Sequence, residues 1–145
     1  MLTYAAGIIG NFFTSTGING EWYASAKPEI NLPSISFPIV WNVLFLLIAV
    51  SWWLAVNKAD KRQRRKIWIS YGLNLVFNVL WSVFYFGMQN AGLAFADSIV
   101  ILLSIIFMMA SVFKVEERSV WLLVPYLLWV CFACILTYMS LLKVL

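Results

Sequence analysis

Histidine is missing altogether from this chain. Its absence removes histidine-ligated zinc, histidine-ligated haem and a histidine general base together. Charge is scarce as well: 11% of the 145 residues are Asp, Glu, Lys or Arg, where a soluble domain carries about a quarter. There are two cysteines, Cys131 and Cys134, both within one apolar run. A C-x-x-C redox pair normally opens a helix beside a sheet in water, so these two are expected to be small apolar fillers. No nucleophile–base pair and no cluster of metal ligands stands out, so ordinary hydrolytic or metal-dependent catalysis has no support, and no cofactor is expected.

What the chain has instead is apolar surface. Hydrophobic residues make up 63% of it, and the mean hydropathy is +0.90. A domain this small keeps a large surface fraction and cannot bury so much apolar area in its own core. Lipid must act as solvent, and the chain reads as one integral membrane domain spanning 1–145. The net charge of +4 is no nucleic-acid signature, because six of the ten basic residues crowd into Lys58 to Lys66, between two apolar runs. Topology explains such a run better than phosphate binding does.

Apolar runs of helical length cover about 2–16, 37–56, 67–86, 93–113 and 120–142. A spanning helix needs about 20 mostly apolar residues. The runs do not alternate in polarity as barrel strands do, and backbone groups in hydrocarbon must be satisfied within the segment. The expected fold is therefore an all-α membrane protein, a five-transmembrane-helix bundle with a long outer loop, 17–36, between the first two helices. The first run is the shortest and contains Asn11. It lacks a charged leading segment and a small-x-small cleavage site, so it is not expected to be a signal peptide. Its Ala6 and Gly10 could admit a neighbouring helix closely, or be ordinary small residues. No internal repeat of the alternating-access kind is visible.

Basic residues set the expected orientation. The connectors after the second and fourth runs hold eight of them, against Lys27 and Lys143 on the other face. The positive-inside rule then puts the N-terminus in the cytoplasm, and the C-terminus and the 17–36 loop outside. The odd stretch of the chain is Trp22 to Trp41, which takes in most of that loop and has a tryptophan at each end and three of the four prolines.

Within the runs, polar and aromatic residues fall in stripes. Asn74, Asn78, Trp81 and Tyr85 lie within an arc of roughly 60° on a helix. Carboxamides facing lipid are costly, so this face should look into the bundle. Asn74 suits interhelical hydrogen bonding or cavity lining equally, whereas Asn78, beside Trp81, is read as ligand-facing. Asp97 is read as an anion in the first turn of its helix, favoured by the helix dipole and paired with Lys27; an intramembrane functional acid is the alternative. Trp41, Phe45, Ile48 and Trp52 share one face of the second run, and Tyr126, Trp129, Ala133, Thr137 and Ser140 share one face of the fifth. Aromatics at helical spacing often only pack or form an interfacial belt. Three such faces converging beside small residues, however, suggest an aromatic-walled pocket for a flat, largely apolar ligand. Leu136–Thr137–Tyr138 followed by Lys143 also fits the loose cholesterol-contact pattern.

The ordered set of motifs resembles the translocator protein family, also called tryptophan-rich sensory proteins or peripheral-type benzodiazepine receptors. The resemblance is carried by Trp22–Tyr23 with Lys27–Pro28, Pro33…Phe37…Trp41, Asn78-x-x-Trp81 with Phe86–Gly87, Ala94-x-x-Asp97, and Pro125–Tyr126-x-x-Trp129-x-x-Phe132–Ala133. The resemblance implies five transmembrane helices around a cavity that the first loop covers as a lid. It implies binding of porphyrins and other tetrapyrroles, of isoquinoline-carboxamide and benzodiazepine-type drugs and, in animal members, of sterol. It further implies Tyr23 and Pro33 in the lid, and Trp41, Phe45, Asn78, Trp81, Trp129 and Ala133 around the cavity. Lys27, Asn74 and Asp97 are candidate polar support. A homodimer in a bacterial cell membrane is the family expectation, and so is light-dependent porphyrin degradation using Trp41 and Trp129. The chain departs from the family pattern in having only Ala24, Ser25 and Ala26 between Tyr23 and Lys27, Leu32 for the first proline of a pair, and Thr137 for an asparagine.

Overall fold

A computed structural model describes residues 8, 9, 12, 20–26 and 36–145, with Ser36 and Phe37 described by backbone only. Most of the first run and of the 17–36 stretch, including Lys27 and Pro33, lies outside the described residues. Ile8, Ile9 and Phe12 are helical and exposed. Within the outer stretch, α1 (Glu21–Ala26) is a short helix whose Ala26 is buried. The long helices are α2 (Ser36–Lys58), α3 (Lys61–Ser82, running on into a π turn, Val83–Gly87), α4 (Ala91–Phe113) and α5 (Glu117–Val144). Among the described residues there is no strand, and these four helices are each long and apolar enough to cross a membrane. The all-α membrane fold read from the sequence therefore holds.

Helix starts differ from the expected ones, and capping is the reason. Expected from 67, α3 begins at Lys61 because Asp60 and Gln63 form a capping box. Asp60 Oδ1 accepts from Gln63 N–H at 2.8 Å, and Gln63 Oε1 accepts from Asp60 N–H at 3.0 Å. Two orphan donors are thereby satisfied, and the basic residues read as a loop become two helical turns. Asn90 starts α4 by accepting from Leu93 N–H at 3.0 Å, and Glu116 caps α5. Between the π turn and α4, Gln89 takes a positive φ of 52° to reverse the chain.

The connectors between the long helices are short, which favours packing of consecutive helices. Such packing joins α3 with α4 and α4 with α5, but α2 packs mainly against α5 and only slightly against α3. A pair of serines accounts for this. Ser51 Oγ donates to the Ser119 carbonyl at 2.9 Å and Ser119 Oγ returns to the Ser51 carbonyl at 2.8 Å. Small polar side chains let two helix backbones approach where apolar burial offers no driving force, since lipid is as apolar as leucine. Tyr71 of α3 joins the cluster through its hydroxyl, 2.6 Å from Ser51 Oγ. Ser70 and Ser111, 3.1 Å apart, tie α3 to α4 in the same way. Polar side chains lie inside, whereas Trp53, Leu103, Trp121 and Leu128 point outward, the inverse of a soluble fold.

At the basic end, buried Glu116 bridges two helices, with Lys58 of α2 at 2.5 Å and Arg118 of α5 at 3.1 Å. The Arg118 hydrogen bonds, then the one from Lys58, hold the Glu116 carboxyl down from 4.5 to about 2. A folded-state value below the unfolded one stabilises fully above the unfolded value and loses that contribution as pH falls through the folded one. Glu116→Gln should therefore lower the thermal midpoint in detergent at neutral pH. The difference from wild type should shrink as pH falls from about 4.5 towards 2. Circular dichroism melts across that range check it; a deficit that does not depend on pH would contradict the ionic role.

Candidate ligand-binding site

The end of the bundle opposite the basic cluster is built from aromatic rings. Trp81 and Tyr85 of α3 stack with centroids 5.0 Å apart and planes within 7°. Trp22 of α1 meets Tyr85 edge-on at 5.2 Å, and Tyr23 lies 6.4 Å from Tyr85 and 5.6 Å from Phe86. Each such pair contributes on the order of 0.5–1.5 kcal/mol beyond its buried area. Tyr85 sits in the π turn, a widened turn often found at functional sites, and its hydroxyl lies 2.9 Å from Ser140 Oγ of α5. The short helix α1 thus rests on the end of α3 and against α5. Burial raises the Tyr23 phenol above its ordinary value, so it stays protonated and able to donate at neutral pH.

Deeper in the bundle, one amide network joins three helices. Tyr126 of α5, fully buried, donates to Asn74 Oδ1 at 2.9 Å and accepts from Asn78 Nδ2 at 2.6 Å. Asn74 Nδ2 donates to Ser104 Oγ of α4 at 2.8 Å. Asn78 Nδ2 also approaches the Asn74 carbonyl at 2.9 Å and Asn74 Oδ1 at 3.2 Å. Asn74 is therefore an interhelical tie. Asn78, read as ligand-facing, has its NH2 taken up by the bundle, and only its Oδ1 is without a hydrogen bond among the described residues. The ring of Trp41 stands 6.5 Å from that of Tyr126 and 5.5 Å from that of Phe45. The wall runs Tyr23, Tyr85 and Trp81 by ring contacts, then Asn78, one turn before Trp81 on the same face of α3, and on to Tyr126 and Trp41.

Trp129 lies elsewhere on α5. Its ring packs 5.5 Å from Phe132, and both border an open apolar groove of about 530 Å³ between α2 and α5. Val40, Leu44 and Leu47 supply the α2 side, and Pro125 opens the α5 side. Ala133 is half-buried one turn beyond Trp129, its carbonyl accepting from Thr137 Oγ1 at 2.8 Å. The sequence-predicted residues thus form two clusters: Tyr23, Trp81, Asn78, Trp41 and Phe45 along the wall, and Trp129 with Ala133 beside the groove.

Asp97 corrects the expectation most clearly. Because Asn90 starts α4 early, Asp97 is the seventh residue of the helix, outside its first turn. It is 6% exposed, and its Oδ2 has no hydrogen-bond partner among the described residues. The expected partner, Lys27, lies outside them, as does the lid residue Pro33. Sequence reasoning does not mark Tyr126 and Tyr85 as site residues, although both stand on the inward stripes. The α2 residues of the groove, Val40, Leu44 and Leu47, carry no polar signal that could have marked them. No group of three potential metal ligands occurs among the described residues.

Spanning helices with polar interiors, lipid-facing apolar exteriors and clustered interior aromatics define an integral membrane protein of the helical-bundle class. The profile of the TspO/MBR family matches residues 1–142. Two similar proteins are called tryptophan-rich protein TspO. The one from Bacillus cereus is 33% identical over 135 residues, 90% of this chain and 86% of its own. The one from Chlorobaculum tepidum is 29% identical over 138 residues, 94% of this chain and 87% of its own. A translocator protein from Ovis aries is 29% identical over 139 residues, 89% of this chain and 80% of its own. The chain belongs to the TspO/MBR family.

The network predicts a measurable coupling. Tyr126→Phe removes one donor and leaves Asn74 Oδ1 with only the longer contact from Asn78. It should destabilise the folded bundle by roughly 0.6–2 kcal/mol. A double-mutant cycle with Asn74→Ala, read by thermal melts in detergent, should be non-additive; additive losses would mean that the network does not act as a unit.

Proposed function

We propose that this protein is a membrane receptor or carrier that binds a tetrapyrrole within its helix bundle, with the α1 stretch as the lid. The observation that carries the reading is a pair of ring groups, Trp22 and Tyr23 with Tyr85 and Trp81, and Tyr126 with Trp41, joined through Asn78, which stands one turn from Trp81 and donates to Tyr126. A porphyrin presents two flat π faces that stack on such rings, and an edge of polar substituents that need only a few donors. The phenol of Tyr23 and the amides of α3 are candidate donors, and Lys27 is a further one on the lid stretch. The groove beside Trp129, at about 530 Å³, lies in the size range of ligand pockets. It offers a lateral way in from lipid for a ligand that partitions into the bilayer. Isoquinoline-carboxamide or benzodiazepine-type drugs and sterol are further candidate ligands of the same apolar walls. The basic end is assigned to the cytoplasm and the α1 end to the outside of a bacterial cell membrane. The homodimer is part of this family-based reading.

Titrating the purified protein with protoporphyrin should quench tryptophan fluorescence saturably. Trp41→Ala and Trp129→Ala should each weaken the Kd about 2- to 12-fold, since each removes a ring whose stacking is worth ~0.5–1.5 kcal/mol. Indifference to both changes would refute this pocket. Illuminating the same complex tests porphyrin degradation: loss of porphyrin absorption faster than in protein-free detergent, and slowed by either substitution, would make the pocket photochemically active.

A further inference from the structure

The end of the bundle remote from α1 carries charge that the rest of the structure leaves unused. Six cations crowd the junction of α2 and α3. Three have partners: Lys58 pairs with Glu116, Arg64 reaches the Val56 carbonyl at 3.3 Å, and Lys66 Nζ stands 5.8 Å from the Phe107 ring centroid. Lys61, Arg62 and Arg65 are exposed, with no hydrogen bond or ion pair from their side chains among the described residues. The acids at this end are Asp60, occupied in capping α3, Glu116, held between Lys58 and Arg118, and exposed Glu117 on α5. Lys61 and Arg65 are four residues apart, as are Arg62 and Lys66, so like charges face each other on neighbouring turns. The first turn of α3 holds no acid, and cations there also oppose the helix dipole. An external negative charge relieves both penalties.

The same end lies at headgroup depth. Trp53, Trp68 and Trp121 are 59%, 45% and 67% exposed, each within about two turns of its helix end, in the manner of an interfacial aromatic belt. Trp68 is fixed by an edge contact with Trp52 at 4.8 Å. Lys61, Arg65, Trp68 and Gly72 recur at i, i+4, i+7 and i+11, a single stripe down α3 about 60° wide. At Gly72 a Cβ would meet nothing within 4 Å, so below the indole the helix backbone lies open as a shallow trough. Cations, indole and bare backbone follow one another in the order of a lipid's phosphate, ester and acyl chain.

We propose that this face of α3 seats an anionic glycerophospholipid, with its phosphate on Lys61 and Arg65, its ester region against Trp68 and an acyl chain over Gly72. A zwitterionic lipid brings its own ammonium group into the unpaired cations and is disfavoured. The site is independent of the tetrapyrrole reading, since it shares no residue with that wall.

The test is retention of lipid by the full chain. Protein in mild detergent is mixed with equal amounts of phosphatidylglycerol and phosphatidylcholine, and bound lipid is counted by native mass spectrometry. Wild type should retain phosphatidylglycerol preferentially. The Lys61→Gln, Arg65→Gln double variant should lose that preference by roughly 30-fold, the effect of two interfacial charges. Gly72→Leu keeps every charge but fills the trough, and should reduce phosphatidylglycerol retention too. Lys114→Gln, which removes a cation elsewhere at the same end, should leave retention unchanged. An unchanged preference in the double variant, an equal loss in Lys114→Gln, or wild-type retention by Gly72→Leu would each overturn the proposal. Circular dichroism confirms that each variant keeps its helical content.

Discussion

The hydrogen bonds around Tyr126 are the interaction on which the rest of the bundle depends. In a bilayer, apolar surface gains nothing by leaving lipid for another helix, so packing and interhelical polar contacts must supply the association. Asn74, Asn78, Ser104 and Tyr126 bring α3, α4 and α5 to one point. The reciprocal Ser51–Ser119 pair then brings α2 onto α5. Tyr71 completes the loop by joining α3 to that pair. Few residues are involved, but all except half-buried Asn78 are buried where an unmet polar group is expensive, so together they specify which helices are neighbours.

The two ends of the bundle have different physics. At the basic end, serines draw the backbones close and Glu116 clamps α2 to the start of α5, leaving spare positive charge outside. At the other end, bulky rings replace small hydroxyls, α3 opens into a π turn, and α1 lies across the result. Ring contacts of this kind are individually weak and tolerate rearrangement, whereas the serine contacts are short and mutually constrained. The bundle is therefore held by short polar contacts at one end and closed by apolar ring contacts at the other, an arrangement that suits the tetrapyrrole site proposed above. Buried Asp97, without a hydrogen bond to Oδ2 among the described residues, stands on α4 on the α1 side of the amide network, so the polarity of that region is not confined to the wall itself.

Much of this is legible in the residues. Continuous apolar runs with almost no charge force spanning helices, because backbone groups in hydrocarbon have no other partners. The period of 3.6 turns Asn74, Asn78, Trp81 and Tyr85 into one inward stripe, and that stripe does line the interior. Helix starts escape such a reading where capping overrides polarity: Lys61 to Lys66 look like a loop by composition, yet Asp60 and Gln63 make them a helix.

The sequence by itself determined the class of protein, its long apolar helical runs, the polar stripe and the family motifs, since each is a local or periodic property of the chain. Only the tertiary structure decided how those stripes meet. That α2 lies on α5 rather than α3, that the Asn78 amide nitrogen serves the bundle, and that Trp129 faces a groove apart from Trp81 all depend on interhelical distances. The same holds for the ring contacts of Trp22 and Tyr23 with the end of α3. Periodicity assigns a residue to a face but cannot say which face lies opposite, because that choice is made by a few buried hydroxyls and amides between helices that are far apart in sequence.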